Sequence, residues 1–544
     1  MKKTILIGGV AGQGSAVTSH FIGKIFCRLG YFVFNYRDYP SLIRGGHNFN
    51  VLEVSDKPVY SQGEKYDIIV ALDQKTIDLH QENLKDDGFV LGSYKLKSNK
   101  LKGIDTEDLL KKLDGPQILE NDILIGWLFK HFGIDKNFIL EQAKEIFGNK
   151  SDKIGKAIEE GYLLTEEEDK LEKKNDGNYF ISGNEAISIG AINAGLDVYL
   201  AYPMTPATAV LHYLAKKEKE YNLIVSQLEN EIAVANAALG ASFTGAKVMV
   251  GTSGGGFALM TEAISLSGIS ELPLVVYLSQ RTGPATGVPT YTAQGDLKFA
   301  VNAGHGEFPK IVVAPGDSQE SILRTEEAFY LSGKYRTPVI LVGDKHLGES
   351  DYSFKELKNS SVSRERFLIK NPSKDYKSYK ITDNGVSPAA APGQGPVVRA
   401  TSYEHDEYGY TIEDAKSAVL MNDKRMKKAK EIEREISRLK PAVVYGKGKN
   451  LIIGWGSTKG AIIDALPELE NFRFLQISYI TPFPKDMVKK ELENSDRVVL
   501  VENNITGMLG DIITEQTSCE IKEKVLRYDG RPFTADYIIR EIKK

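Results

Sequence analysis

Cysteine is almost missing from this chain, with Cys27 and Cys519 the only two in 544 residues. Two thiols cannot supply the four ligands of a usual iron–sulfur cluster, and no Cys-x-x-Cys pair or disulfide framework can be built from them. That scarcity fits a reducing compartment, so the chain is expected to be cytoplasmic and to hold no metal of its own. An excess of positive charge is also lacking. The formal net charge of -4 argues against a nucleic-acid-binding face, and no basic run stands apart to meet an anionic membrane. No run approaches the roughly 20 apolar residues of a membrane-spanning helix. Met1-Lys2-Lys3 precedes a short apolar run that soon meets Gly8 and Gly9, which reads as a first buried strand and not as a leader. What remains is the composition of an ordinary globular protein, 42% apolar and 26% charged. Its length calls for about three domains.

Apolar runs alternate with helical patterns along most of the chain, the mark of α/β layers. The first begins with a strand at 4–7, a glycine loop, and a helix over 16–29, followed by strand signals at 31–34, 50–54 and 67–72. It is expected to fill residues 1–165 as a doubly wound domain. A charged stretch at 166–178, containing Glu166-Glu167-Glu168-Asp169-Lys170, reads as a linker. A second α/β run, over 179–350, has strand signals at 198–201, 223–226, 247–250, 274–278 and 339–342. The pattern then dissolves over 351–440 into an extended crossing segment and a charged helix at 411–439, with Ile432, Ile436 and Leu439 on one stripe. A third α/β unit occupies 441–544, with strands near 450–456, 474–477 and 497–501.

In Gly9-x-x-Gly12-x-Gly14 a glycine loop joins a strand to a helix, where a Rossmann-type fold cradles a phosphate. Its spacing reverses the dinucleotide fingerprint, so a tight turn is the first reading, a nucleotide or coenzyme A contact the second, and NAD binding with Asp38 at the ribose the one to reject. Arg44-Gly45-Gly46-His47 offers either an anion site or a turn with a surface arginine.

The second α/β run brings chemistry to its strand ends. Tyr202-Pro203-Met204-Thr205-Pro206 closes one strand and opens a helix, with Thr205 expected as N-cap and Pro206 as first helical residue. Gln227-Leu228-Glu229-Asn230-Glu231 leads into an alanine-rich helix, where acidic residues serve the helix dipole or a ligand. Gln280-Arg281 ends a third strand, and arginine is a natural bidentate partner for a carboxylate. Gly254-Gly255-Gly256 permits close backbone approach. A hydroxyl, a carboxylate and a guanidinium on one sheet edge make a candidate site.

These motifs resemble the 2-oxoacid:ferredoxin oxidoreductases. Tyr202-Pro203-Met204-Thr205-Pro206-Ala207-Thr208 is similar to the family's Tyr-Pro-Ile-Thr-Pro-Ser-Ser/Thr, with Met204 and Ala207 departing from it. The segment ending at Glu231, Arg281 with Gly283-Pro284-x-Thr286-Gly287-x-Pro289-Thr290, Gln294-x-Asp296-Leu297, Glu404-His405-Asp406-Glu407 and Val501-Glu502-Asn503-Asn504 are similar as well. Gly12-Gln13-Gly14 and Arg44-Gly45-Gly46 resemble the family's gamma subunit, fused here ahead of the alpha part.

The resemblance implies a gamma domain, a thiamine-diphosphate pyrimidine-binding domain and a transketolase-C-like domain, in that order. It implies CoA-dependent oxidative decarboxylation of a 2-oxoacid, such as pyruvate or 2-oxoglutarate, to acyl-CoA, CO2 and reduced ferredoxin. Glu231 would hydrogen-bond N1′ of the aminopyrimidine as the catalytic acid, with Pro203 beside the cofactor, and Thr205 and Arg281 would bind the substrate carboxylate. The thiamine would carry the chemistry. Gly-Asp recurs at 295, 316, 343 and 510 but never as the Gly-Asp-Gly that holds Mg²⁺ and diphosphate. A beta subunit is therefore expected to complete a heterodimer, bringing the diphosphate half, Mg²⁺ and the iron–sulfur cluster. The alternatives are an NAD-linked dehydrogenase working through the glycine loop, and a non-catalytic scaffold subunit in which Glu231 and Arg281 are ordinary structural charges.

Overall fold

The computed structural model describes residues 1–42, 45–174 and 177–544. Two compact units emerge, one of Met1–Ile181, Ser350–Leu357 and Thr534–Tyr537, the other of Ser182–Glu349, Lys358–Phe533 and Ile538–Lys544. Among the described residues no helix is long and apolar enough to cross a membrane.

The first unit is built on an eight-stranded sheet. Strands Lys2–Val10, Tyr66–Ala71, Leu84–Ser93 and Leu101–Ile104 run parallel. On the other side of Lys2–Val10 the sheet turns antiparallel through His47–Ser55 and Phe32–Asp38. Few residues separate the end of Phe32–Asp38 from the start of His47–Ser55, too few for the crossover that parallel neighbours require. Helices Ser15–Arg28 and Glu120–His131 bury Phe21, Phe26, Trp127 and Phe129 on this layer. The charged stretch after residue 165 is no free tether over its described part. The amides of Glu168 and Asp169 donate to the His131 carbonyl, and those of Leu171 and Lys174 to the carbonyls of Phe132 and Leu29. Its charges point outward while its backbone is held.

In the second unit a seven-stranded sheet runs in the order Tyr479–Thr481, Ile311–Val313, Pro338–Asp344, Leu274–Gln280, Val248–Thr252, Val198–Ala201, Ile224–Gln227. All but the first are mutually parallel. The inner strands are buried on both faces, which is why they read in sequence as continuous apolar runs, whereas Ile224–Gln227 at the edge is half-exposed. A five-stranded sheet over 442–526 packs alongside, and one core runs through both, joining Val250, Val276 and Val342 to Ile453, Leu475 and Leu500. Residues 358–414 carry no helix and no strand of a sheet, only an isolated bridge or two. Helix Ala415–Arg438 comes next, starting where Asp414 accepts from the Ser417 amide, and it buries Ile432 and Ile436.

Candidate functional site

Parallel strands all deliver their carboxyl ends to one edge of a sheet, and the registers here bring five of those ends level. Ala201 pairs with Gly251 and Gln227, Thr252 with Leu278, and Gln280 with Asp344. The turn at 202–207, Glu231, Gly254–Gly256 and Arg281 therefore meet at the edge where open α/β sheets take ligands.

Glu231 opens helix Glu231–Phe243, but it does not cap it. Asn230, extended at φ -165 and ψ 172, accepts from the Ala233 amide at 2.9 Å and satisfies the helix end. Glu231 is thus free to turn inward, where it is 3% exposed and its Oε1 has no hydrogen-bond partner. Glu229, two residues earlier, is exposed. Gly256 forms the seat of the carboxylate. A Cβ there would lie 2.4 Å from Glu231 Oε1 and 2.1 Å from Thr252 Oγ1, so only glycine fits without displacement. Beside it Ser253 Oγ is also buried without a partner, although Ser253 stands at the N-cap of helix Gly254–Ser270. An unmet buried polar atom costs about 1–3 kcal/mol. Glu231 Oε1 and Ser253 Oγ are two such atoms, on the residues that meet at this sheet edge.

The expected cap at Thr205 is not made. Helix Thr208–Tyr221 begins after Ala207, no side chain caps it, and the Thr205–Pro206 peptide is cis, so the hydroxyl sits in a turn three residues short of the helix. Thr205 is nevertheless joined to Arg281, whose Nη1 donates to the Thr205 carbonyl at 2.8 Å. Pro203 lies half-buried in the same turn. Burial holds the Arg281 guanidinium below its usual range, against the pull of Asp296 nearby. Burial pushes the Asp296 carboxyl up to about 6, and Arg281 restrains that rise.

Asp296 is mounted from two directions. Its amide donates to Gln280 Oε1 at 2.8 Å, and Gln280 Nε2 donates to the Gly343 carbonyl at 3.1 Å. Two residues earlier, Gln294 exchanges bonds with the Asn503 backbone in both directions, 2.7 and 2.8 Å. It also donates to the Trp455 carbonyl, and its own carbonyl accepts from Asn504 Nδ2, both at 2.9 Å. The motifs at 294–296 and 502–504, separated by two hundred residues, are thus two halves of one joint. Ser457 Oγ closes it further by donating to Asp344 at the end of the neighbouring strand. No spacing rule predicts such a joint.

The comparisons with known proteins cover both units. The family model described as "Pyruvate flavodoxin/ferredoxin oxidoreductase, thiamine diP-bdg" matches residues 189–424, and "Pyruvate ferredoxin/flavodoxin oxidoreductase" matches 4–164. A 2-oxoacid:ferredoxin oxidoreductase subunit alpha from Sulfolobus sp is 32% identical, across 98% of this chain and 96% of its own. The chain belongs to the 2-oxoacid:ferredoxin oxidoreductase alpha-subunit family. A 2-oxoglutarate synthase subunit KorA from Methanocaldococcus jannaschii is 32% identical over 64% of this chain and 94% of its own. In structure, the 2-oxoglutarate:ferredoxin oxidoreductase from Magnetococcus marinus, solved with 2-oxoglutarate, coenzyme A and succinyl-CoA bound, superposes with a TM-score of 0.88. It is 27% identical and covers 100% of this chain and 99% of that one.

Other motifs of this oxidoreductase lie away from the edge. Glu404 is paired with Arg425 and Glu407 with Lys377, while His405 is wholly buried with its ring centre 3.7 Å from that of Tyr379. These residues brace the crossing segment. Glu502 is buried, accepts from Trp455 Nε1 at 2.9 Å and from the Leu509 amide, and burial raises its carboxyl to about 7. The glycine loop of the first unit is closed by its own side chains. Gln13 Oε1 accepts from the Val10 amide at 2.7 Å, and Asn121 Nδ2 donates to the Gln13 carbonyl at 2.6 Å. Asp38 is 3% exposed and accepts from Tyr36 Oη, so it faces inward and not toward a ribose. Those contacts favour the tight turn over the dinucleotide reading. Arg44 lies outside the described residues.

Proposed function

We propose that this alpha subunit holds the aminopyrimidine half of thiamine diphosphate and the carboxylate of a 2-oxoacid, in a site completed by a beta subunit. The reaction is CoA-dependent oxidative decarboxylation to acyl-CoA and CO2, with two electrons passed to ferredoxin. The observation that carries this reading is the buried, unpartnered Oε1 of Glu231 over Gly256, on the edge that also delivers Arg281. An aminopyrimidine fits the orphaned atoms. Its ring nitrogen and amino group would meet Glu231 Oε1 and Ser253 Oγ, with the turn at Pro203 alongside. When bound, the thiazolium supplies the carbon that attacks the ketone and accepts the electrons released on decarboxylation.

Each residue then has one role. Glu231 holds a proton at N1′, and its burial keeps water from competing for that contact. Arg281, already fixed by the Thr205 carbonyl, offers its remaining guanidinium donors to the substrate carboxylate, with the Thr205 hydroxyl beside it. The diphosphate, Mg²⁺ and the iron–sulfur cluster are assigned to the beta subunit, because this chain has two cysteines and no Gly-Asp-Gly.

Glu231→Gln tests the reading, since it keeps the shape and removes the acid. Exchange of the thiamine C2 proton in the assembled complex should slow by about 10²–10⁴-fold, the usual worth of a general acid–base group. Exchange at the wild-type rate would remove Glu231 from the role.

A further inference from the structure

Asp296 stands at the N-cap of helix Leu297–Val301, where an aspartate normally bonds a helix amide, yet it makes no such bond. Elsewhere in the chain Asp73, Asp105, Asp135, Asp317 and Asp414 hold the same position and each accepts from a helix amide. The Asp296 carboxylate turns instead against Gly254, where a Cβ would lie 2.6 Å from its Oδ2 and 3.0 Å from its Oδ1. It makes no ion pair with Arg281, whose bond goes to the Thr205 carbonyl. Among the described residues nothing hydrogen-bonds this carboxylate. Its backbone, by contrast, is fixed through Gln280 and the Gln294–Asn503 joint. A rigidly mounted, partly buried acid thus caps nothing and pairs with nothing among the described residues, beside the substrate arginine.

We propose that Asp296 is a second contact for the substrate's carboxylate, made in its acid form, so that binding of a 2-oxoacid at Arg281 takes up one proton. The inference rests on Arg281 as the substrate site. Two carboxylates cannot share one guanidinium neighbourhood without repulsion, but a carboxylic acid donates to a carboxylate. The proton enters from solvent as substrate binds and leaves when the product departs. No electrons move at this residue.

The surrounding charges leave Arg281 as the one that acts on it. Lys298 on its own helix is paired with Asp511, and Asp344 on the neighbouring strand is held by Ser457 and the Leu347 amide. Burial keeps His346 neutral, pushed down to about 3. Glu231 lies across the glycines at Gly256. The raised Asp296 carboxyl, about 6, puts the change within reach of ordinary assays.

The test is the KM for pyruvate and for 2-oxoglutarate in the assembled complex, from pH 5.5 to 8.5. For the acid that is used, wild-type KM should be level at the acid end and rise about tenfold per pH unit above neutrality, as required when a bound proton is linked to binding. Asp296→Asn, a permanent neutral donor, should show a KM independent of pH and below wild type at pH 8. Asp296→Ala should also be level with pH but weaker than the asparagine variant. A level wild-type profile, or an asparagine variant with the wild-type slope, would overturn the inference, and the wild-type profile needs no variant to fold. A wild-type complex that oxidises no 2-oxoacid overturns the reading of the site as well. An active complex with a level profile overturns this inference alone.

Discussion

Two glutamates bracket one helix of the second unit, and their surroundings could hardly differ more. Glu231 faces the start of helix Gly254–Ser270 and Glu271 ends it, across 17 residues, about 25 Å. They are almost equally buried, 3% and 1% exposed. Glu271 takes a left-handed φ of 52°, and its negative charge sits at the helix end where the dipole opposes it. Its carboxylate is met by the ammonium groups of Lys424 and Lys428, while Arg336 Nε donates to its carbonyl at 3.0 Å. Burial alone would raise its carboxyl, but Lys428, Lys424 and Arg336 hold it well below the usual range. Among the described residues Glu231 pairs with no cation, and its Oε1 has no hydrogen-bond partner. Burial of charge costs several kcal/mol unless it is paired. One glutamate meets that cost with its own chain and braces the amino edge of the sheet. The other has an oxygen with no partner among the described residues, at the carboxyl edge where the ligand is proposed to bind.

The comparison breaks most sharply if the two losses fail to swap. Glu231→Gln should lose about 10²–10⁴-fold in C2 exchange while its melting temperature stays put, because its Oε1 has no partner to lose. Glu271→Gln should keep its rate per folded enzyme and lose about 3–5 kcal/mol of unfolding free energy, the range for breaking a buried ion pair. The loss should also track pH in a defined direction. A carboxyl depressed in the fold stabilises above its unfolded value and loses that stabilisation as pH falls through its folded value. The gap in unfolding free energy between wild type and Glu271→Gln should therefore be constant from pH 7 to 5 and narrow below about 4.5. A gap that widens in acid would mean that the lysines are not holding the ionised form.

Arg281→Ala should have an effect of the next size. Losing a charge-assisted bond to the substrate amounts to about 1.5–3 kcal/mol, roughly ten- to a hundredfold in KM. Its bond among the described residues is to a carbonyl, so melting should change little. Titration of the assembled variant with 2-oxoacid checks both. An unchanged KM and kcat would remove Arg281 from the site, and a large fall in melting temperature would make it a brace like Arg336.

Much of the fold and half of the site are legible in the residues, for a physical reason. Strands covered on both faces must be apolar throughout, so 198–201 and 274–278 stand out, and the residues just past a strand's carboxyl end must lie on the ligand edge. That logic places Glu231, Arg281 and the 202–206 turn together. It cannot place the Thr205 hydroxyl, because capping is decided by a few backbone angles, and the chain turns before the helix forms. Nor can it separate Glu231 from Glu271, whose lysines arrive from a helix more than 150 residues away. The Gln294–Asn503 joint is invisible for the same reason. Its bonds join groups two hundred residues apart, most of them side chain to backbone, and no periodicity records them.

The smallest effect sharpens the comparison most finely, because it asks whether two glutamates two residues apart are as different as their burial says. Glu229 is exposed, ahead of the Asn230 cap, and it lies outside the first helical turn that Glu231 opens. Water can solvate its carboxylate in full, so removing the charge withdraws no buried partner and leaves none behind. Glu229→Gln should change unfolding free energy by less than about 0.5 kcal/mol, as surface substitutions usually do, and C2 exchange by less than about twofold. The measurement belongs in the same experiment as Glu231→Gln, with both complexes assembled from one preparation of partner. If Glu229→Gln slows exchange by orders of magnitude while Glu231→Gln does not, the proton is held two residues earlier. The empty oxygen over Gly256 would then have to be explained as strain alone.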